Sequence, residues 1–259
     1  MSKELEIVTQ AIESFEGRSY LFYGGPGVGK TTLAAWHPGK RKLWLDADQK
    51  LHEMVELPNR ASIQVWNPKE PLGNPEKIEI PFSPDPKNVG AGNLPAKKPQ
   101  GYERIVAVTN ELLHQARRPE GLDYDVVVLD TLTSVADHWQ RLLMYTHKVT
   151  FMTERLWGIY LAGLMEYLNG FLTLPCDRIV LCHEKRRTDE DTKTDTIRPS
   201  VAGQMGDNMA RFFTEAYYLT GRDRAGKYNL QTVSGNGATA RTSRKCDPVL
   251  VAGPEVFPK

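Results

Sequence analysis

The chain has the length and composition of a folded protein, with 259 residues of which 40% are hydrophobic and 25% are charged. This composition excludes extensive disorder and allows one large domain or two small ones. The formal net charge of +1 excludes a globally basic nucleic-acid binder, so any contact with DNA must come from a local patch.

Two further features lead us to expect a soluble, cytoplasmic protein. No apolar run approaches the roughly 20 residues that a membrane-spanning helix needs, and the charged first residues, MSKELEIVTQ, lack the apolar segment of a signal peptide. The three cysteines show neither metal-site spacing nor an evident pairing, so we expect reduced thiols. They are Cys176, Cys182 and Cys246.

The first part of the chain alternates helical segments with apolar strands. Residues 4–16 have the pattern of a short amphipathic helix, so residues 1–17 are expected to be an N-terminal helical segment. SYLFYG at 19–24 predicts a buried strand, and KTTLAAW opens a helix that Pro38 and Gly39 end. KLWLDAD then predicts a second strand that ends in two acids.

The segment 67–101 has a different composition, rich in Pro, Gly, Lys and Asn. Such a segment does not form a core, and loops longer than about 12–15 residues are usually functional or mobile. We expect an insertion in the domain, with IEIPF as a small edge strand inside it. A surface insertion that is tolerated without a function is the simpler alternative.

The rest of the chain continues this alternation of helices and strands. YDVVVLD is continuously apolar, as in a parallel sheet that is covered on both faces. The predicted helices lie at 102–118, 132–147 and 155–172, and the predicted strands are YDVVVLD, DRIVLCHE, EAYYLTG, KYNLQTV and ATARTSR, the last two forming a hairpin. This order predicts an α/β fold with a doubly wound, mostly parallel sheet and a closing antiparallel hairpin over residues 18–245, followed by a Pro-rich tail, 246–259.

A glycine-rich loop follows the first predicted strand. GGPGVGKTT matches the motif G-x-x-x-x-G-K-[ST] and stands between a strand and a helix, as a phosphate-binding P-loop requires. Its glycines let backbone N–H groups approach phosphate oxygens, and the helix N-terminus adds a partial positive charge. Lys30 is expected to reach the β- and γ-phosphates of ATP, and Thr31 to coordinate Mg²⁺. The expected nucleotide-binding residues are Gly24, Gly25, Pro26, Gly27, Val28, Gly29, Lys30, Thr31 and Thr32.

Acidic residues end two other predicted strands. Asp130 ends the apolar strand YDVVVLD, where a charge is costly unless it has a partner such as Mg²⁺, so we expect it to be the Walker B acid on the metal. Asp46 and Asp48 lie two residues apart, hence on one side if the strand continues. Either is a candidate to orient the attacking water in hydrolysis. Alternatively, both are strand-end or capping acids.

This order of parts resembles the RecA-like ATPases: a P-loop, a strand ending in LDAD, a Walker B strand, and a strand that ends in a polar residue before a polar loop. More narrowly, it resembles the phage-borne single-strand annealing ATPases of the Sak type. The resemblance covers residues 18–245 and implies Mg²⁺-dependent ATP hydrolysis in the cytoplasm of a bacterial host cell. It also implies a homo-oligomer, a ring or a filament, with ATP between subunits.

The resemblance assigns roles to individual residues. RecA-like ATPases carry a glutamate base in a DAE segment, and DAD places Asp48 there, with a shorter side chain. Their fourth core strand ends in a polar sensor of the γ-phosphate, which is His183 here. The loop after the sensor binds DNA, so the expected DNA contact is the cluster Lys185, Arg186 and Arg187. Because acids balance the charge of this loop, a solvated hairpin is the alternative.

A basic segment near the C terminus, ATARTSRK, resembles the segment with which a neighbouring subunit completes each site in RecA-like oligomers. The resemblance implies that Arg241 and Arg244 stabilise charge at the γ-phosphate across a subunit interface. A basic strand edge that discourages aggregation is the alternative.

On this resemblance we expect a DNA-stimulated ATPase of phage or prophage origin that binds or anneals single-stranded DNA in recombination. An alternative is an ATP-controlled assembly protein that recruits replication or recombination partners, such as a single-strand binding protein, without DNA chemistry. The near-neutral charge and the lack of an evident aromatic stacking platform in the polar loop favour it. A third alternative, a small-molecule kinase with an Arg-rich lid, does not account for the DAD segment.

Overall fold

The computed structural model describes residues 17–48, 63–65 (backbone only), 98–188, 190 and 193–257. The helix predicted at 4–16 lies outside the described residues, as does the insertion predicted at 67–101, with its IEIPF strand, apart from its last four residues. Among the helices that are described, none has the length and apolarity to cross a membrane.

Within the described residues, nine strands form one sheet. They are β1 (Ser19–Gly24), β2 (Lys42–Asp46), β3 (Ile63–Val65), β4 (Val126–Asp130), β5 (Asp177–Thr188), β6 (Asp195–Pro199), β7 (Glu215–Arg222), β8 (Tyr228–Gln231) and β9 (Val249–Val251). Their order is β3-β2-β4-β5-β1-β7-β8-β9, and β6 pairs with the far end of β5. The strands from β3 to β7 in this order pair in parallel, whereas β8 and β9 pair antiparallel. The predicted parallel sheet with a closing antiparallel hairpin is confirmed.

Helices cover both faces of this sheet. They are α1 (Lys30–Ala35), α2 (Gly101–Ala116), α3 (Leu132–His147), α4 (Glu154–Leu172) and α5 (Gln204–Asn208). Leu21 and Tyr23 of β1 pack with α2, α3 and α4, whereas Tyr20 and Phe22 pack with α1 and Phe257 on the other face. Successive residues of a strand face opposite sides, so a strand that is covered on both sides reads as a continuous apolar run.

The antiparallel hairpin does not consist of the strands predicted for it. β8 pairs with β7 and β9, while ATARTSR, residues 238–244, makes only isolated bridges in the described structure. Side chains hold the connecting loop: Gln231 donates to the carbonyls of Val233 and Gly235, and the Ser234 hydroxyl donates to the carbonyl of Ala240. Because side chains satisfy these backbone groups, the loop has no need of a strand partner.

The described part of the predicted C-terminal tail packs on the sheet. Its residues Val249–Val251 form β9, and Phe257 is only 4% exposed. The Phe257 ring centroid lies 5.4 Å from that of Tyr20, 6.0 Å from that of Phe22 and 4.8 Å from that of His37. These rings meet at angles of 65–75°, within the edge-to-face geometry that aromatic pairs favour. Phe257 therefore belongs to the core.

We expect Phe257→Ala to lower the free energy of unfolding by about 2–4 kcal/mol, because it leaves a cavity among three rings. Val249→Ala is the control, since this side chain is 59% exposed and its loss should change stability by less than about 0.5 kcal/mol. Chemical denaturation of both variants measures the difference, and equal midpoints would contradict this packing.

Candidate functional site: a P-loop cavity at the carboxyl edge of the sheet

The P-loop forms the turn between β1 and α1 and folds around the buried ammonium group of Lys30. Gly27 and Gly29 have φ angles of +72° and +91°, in the region that only glycine adopts readily. The Lys30 ammonium group, on a residue 7% exposed, donates to the Gly24 carbonyl at 2.9 Å and to the Gly25 carbonyl at 2.7 Å. Burial lowers the pKa of Lys30, and nearby carboxylates oppose this shift.

A cavity of about 250 Å³ lies beside this loop. β5 lies between β1 and β4 and pairs in parallel with both. The carboxyl ends of these three strands therefore lie at one edge of the sheet, where ligands of open α/β sheets bind. In register, Gly24 is level with His183, and Asp46 is level with Asp130. The lining residues are Pro26, Gly27, Gly29, Lys30, Thr31, Thr32, Asp48, Asp130, Thr131, His183 and Tyr228.

Asp130 is a buried acid that two donors hold in place. Its Oδ2 accepts a hydrogen bond from the Thr31 hydroxyl at 3.1 Å and from the Trp44 indole at 3.3 Å. Burial, together with the charges of Asp48 and Asp46, raises the pKa of Asp130 to about 7, although these two hydrogen bonds oppose the shift. Acidic oxygens crowded in this way fit a hard divalent cation, and the hydroxyl and carboxylate are donors that Mg²⁺ prefers.

Asp48 is fixed by groups from two other elements. Its Oδ1 accepts hydrogen bonds from the hydroxyl groups of Thr131, at 3.1 Å, and Ser134. Its Oδ2 lies 3.3 Å from Nε2 of His183, and the backbone N–H of His183 donates to the Thr133 hydroxyl at 3.0 Å. The end of β2, the start of α3 and β5 are therefore joined through one carboxylate.

Of the two candidate acids Asp46 and Asp48, only Asp48 is among the described residues that line the cavity. Asp46 is the last residue of β2, 2% exposed, and pairs in register with Asp130. Its charge acts on the cavity indirectly, because it helps to raise the pKa of Asp130.

Comparison with known families identifies the fold of this site. A family model described as an AAA domain matches residues 16–244. The chain belongs to the AAA domain family. This AAA domain is a P-loop ATPase, so the ATP-binding role predicted from the P-loop agrees with the family. No curated protein matches the chain.

Two solved structures are similar to this AAA domain. One is a prototypical ATPase from the type III secretion system of pathogenic bacteria, with 11% identity and a TM-score of 0.46 over 82% of this chain and 55% of that chain. The other is the RadB recombinase, with 13% identity and a TM-score of 0.45 over 91% of this chain and 86% of that chain. The chain thus spans about half the length of the secretion ATPase.

A second cavity, of about 530 Å³, lies between α2, α3 and α4. Among the described residues, its aromatic lining consists of Tyr102, Trp139 and Tyr167. The rings of Tyr102 and Trp139 are stacked, with their centroids 4.4 Å apart. Its described lining residues include no lysine, arginine or histidine, so it does not offer the cations that a polyphosphate requires.

Arg244 differs from the expectation of a residue that reaches a neighbouring subunit. Its Nη2 donates to the Tyr217 hydroxyl at 2.8 Å and to the Val256 carbonyl at 2.6 Å. Its Nε lies 3.9 Å from the Glu215 carboxylate, which is 0% exposed. Because a buried carboxylate needs a cation or several hydrogen bonds, Arg244 has a structural role within its own chain.

Arg241 lies in more open surroundings. Its side chain is exposed and donates to the Arg211 carbonyl at 3.2 Å. Its backbone bridges to Ala216, which is level with Leu21 in β1, so Arg241 lies outside the cavity of its own chain.

We expect Arg244→Ala to lower the free energy of unfolding by about 2–3 kcal/mol, because it leaves the Glu215 carboxylate buried with fewer partners. Arg241→Ala, at an exposed position, should change stability by less than about 0.5 kcal/mol. Denaturant unfolding separates the two outcomes. Unchanged stability of the Arg244 variant would refute its structural role.

The predicted DNA-binding loop is a β-hairpin made of the far half of β5 and β6. Arg186 donates to the Glu184 carboxylate at 2.7 Å and to the Tyr218 hydroxyl at 3.2 Å. Lys185 and Arg187, both exposed, lie on the opposite face of the strand from Arg186, because strand residues alternate. The three predicted cations are thus divided between two faces.

The sequence interpretation missed several residues of the site. Thr131 and Ser134 lie within the four residues after Asp130, in DTLTS, and hydroxyl groups at this point indicate hydrogen bonds to an acid. Trp44 and Tyr228 gave no such sign, since an aromatic residue in an apolar strand predicts a core position.

Proposed function

We propose that this protein is a Mg²⁺-dependent ATPase of phage or prophage origin that acts on single-stranded DNA in recombination, by binding or annealing it. The supporting observation is the continuity of β5. His183, whose Nε2 lies 3.3 Å from Asp48 in the cavity, is followed within the same strand by the basic residues 185–187 of the hairpin. A displacement of His183 by the γ-phosphate would therefore be passed to these basic residues through the backbone of one strand.

In this proposal the P-loop binds the phosphates of ATP. Backbone N–H groups of 24–29 and the Lys30 ammonium hold the β- and γ-phosphates. Thr31 and Asp130 hold Mg²⁺, which would screen the negative charge of the phosphates. Their 3.1 Å contact keeps both oxygens together on one side of the cavity.

Asp48 orients the attacking water and accepts its proton in the same proposal. The carboxylate accepts hydrogen bonds from Thr131, Ser134 and His183, and it lines the cavity in which the attacking water would lie. Those bonds also restrict the carboxylate to one orientation. His183 then acts as the sensor, since a γ-phosphate that shifts Asp48 also shifts its imidazole partner.

We further propose that the protein acts as a homo-oligomer, a ring or a filament, with ATP between subunits. Among the described lining residues, Lys30 is the only lysine or arginine. Charge that develops at the γ-phosphate is usually stabilised by more than one cation. Arg241 of an adjacent subunit is the candidate for the second cation, because it is exposed and lies outside its own cavity.

We expect the double variant Lys185→Ala/Arg187→Ala to bind single-stranded DNA more weakly and with a flatter salt dependence. The slope of log K against log salt should fall by about 0.7 for each phosphate contact that is lost. Arg186→Ala is the control, because this side chain is already bound to Glu184 and Tyr218 and should change the slope less. Fluorescence anisotropy over a salt series measures these slopes. An unchanged slope in the double variant would remove the hairpin from the DNA site.

The test of the proposed function is ATP hydrolysis by the purified protein with Mg²⁺, in the presence and absence of single-stranded DNA. Lys30→Ala serves as the blank and should show no turnover, because it removes the cation at the centre of the P-loop. Stimulation by DNA supports coupling between cavity and hairpin. ATP turnover that DNA does not change contradicts the proposed role in DNA binding. ATP turnover by Lys30→Ala contradicts the assignment of the P-loop as the nucleotide site.

A second candidate function is an ATP-controlled assembly protein that recruits replication or recombination partners, such as a single-strand binding protein. The ion pairs of the hairpin favour it, because Arg186 is bound to Glu184 and Arg198 to Asp207. Paired cations contribute less to phosphate binding than free ones. ATP turnover without DNA stimulation, together with ATP-dependent assembly, would support this candidate.

A further inference from the structure

The β7–β8 hairpin packs directly against the P-loop. A Cβ built on Gly221 of β7 would lie 3.7 Å from Cγ1 of Val28. A Cβ on Gly29 would lie 3.0 Å from Cδ1 of Tyr228 and 3.1 Å from both Cγ and Cε1 of the same ring. Three ring atoms at nearly equal distance place that position over the face of the ring. The tyrosine therefore packs flat on the loop that is to hold phosphate.

Arg222 accompanies this tyrosine. The two residues pair directly across the hairpin, and the Cζ atom of Arg222 lies 4.6 Å from the centroid of the Tyr228 ring. This distance is within the range of a cation–π interaction. A planar guanidinium group that rests on an aromatic ring is oriented by that ring and presents a second flat surface.

The lining of the cavity has a polar part and a part beside Tyr228. In the polar part, the Thr31 hydroxyl donates to Asp130 and the negative charge of Asp130 acts on Lys30; the triphosphate and metal are proposed to lie there. Besides the His183 imidazole, Tyr228 carries the only aromatic ring among the described lining residues. A cavity of about 250 Å³ is smaller than the roughly 300–1,000 Å³ of sites that enclose a whole drug-sized ligand. The nucleoside of a nucleotide would therefore extend past the rim.

We propose that Tyr228 and Arg222 form the subsite for the nucleoside of the bound nucleotide. The guanidinium group of Arg222 supplies a flat surface on which a heteroaromatic base stacks, as bases stack on arginine planes elsewhere. Tyr228 orients that guanidinium group and closes the side of the P-loop. This subsite rests on the proposal that the cavity binds ATP.

The test compares two ligands that share phosphates but differ in the nucleoside: ATP and inorganic triphosphate, each with Mg²⁺. Calorimetry or competition against a fluorescent nucleotide gives both dissociation constants. We expect Arg222→Ala and Tyr228→Ala to weaken ATP binding roughly tenfold, the scale of one stacked base. Binding of inorganic triphosphate should stay within about twofold of the unmodified protein, because no base is involved.

Two control variants sharpen the comparison. Arg224→Ala removes an exposed cation from the turn of the same hairpin, so it controls for net charge and should leave both constants unchanged. Tyr228→Phe keeps the ring that orients Arg222, so it should weaken ATP binding less than Tyr228→Ala does. Arg222 is exposed, so its variant should fold normally even if Tyr228→Ala does not, and thermal melting verifies folding.

The outcomes distinguish a failure of the nucleoside subsite from a failure of the proposed ATPase function. Equal weakening of both ligands would overturn the subsite, because the hairpin would then only support the P-loop. Unchanged ATP binding in Arg222→Ala would overturn it as well. Failure of the unmodified protein to bind either ligand would instead refute the nucleotide site on which the proposal rests.

Discussion

The carboxylate of Asp130 is the constraint on which the arrangement of this domain depends. It is buried at the end of a central strand, level with Asp46 and close to Asp48, so that three acids share one edge of the sheet. Hydrogen bonds from Thr31 and Trp44 connect it to the P-loop helix and to β2. The negative charges of such a cluster repel one another unless a cation joins them, and this supports the proposal that Mg²⁺ binds at this edge of the sheet.

The position of β5 places the His183 imidazole at this same edge of the sheet. Because β5 separates β1 from β4, its residue His183 lies between the P-loop and the end of β4. Asp48, two residues after the end of β2, reaches His183 across the cavity, while Thr133 of α3 holds the backbone of His183. Elements that are far apart in the chain therefore meet at one carboxylate–imidazole pair.

Much of this architecture could be predicted because local patterns determine it. The continuous apolar run of β4 requires a strand covered on both faces, and the P-loop motif fixes its own context of strand and helix. The environment of Arg244 could not be predicted, since Tyr217, Glu215 and Val256 become its partners only in the folded chain. For the same reason KYNLQTV was paired with the wrong segment, because ATARTSR has equal strand character but side chains hold its connecting loop.

The length of β5 has a mechanical consequence. The strand continues from His183 to Thr188, a distance of roughly 17 Å at the usual rise of a strand. Hydrogen bonds to β6 make this part a two-stranded ribbon, which bends less readily than a single chain. A rotation of about 10° at His183 would move the ribbon tip by roughly 3 Å. In the proposed ATPase, the ribbon would therefore enlarge a displacement near the phosphates into one comparable with the spacing between neighbouring nucleotides.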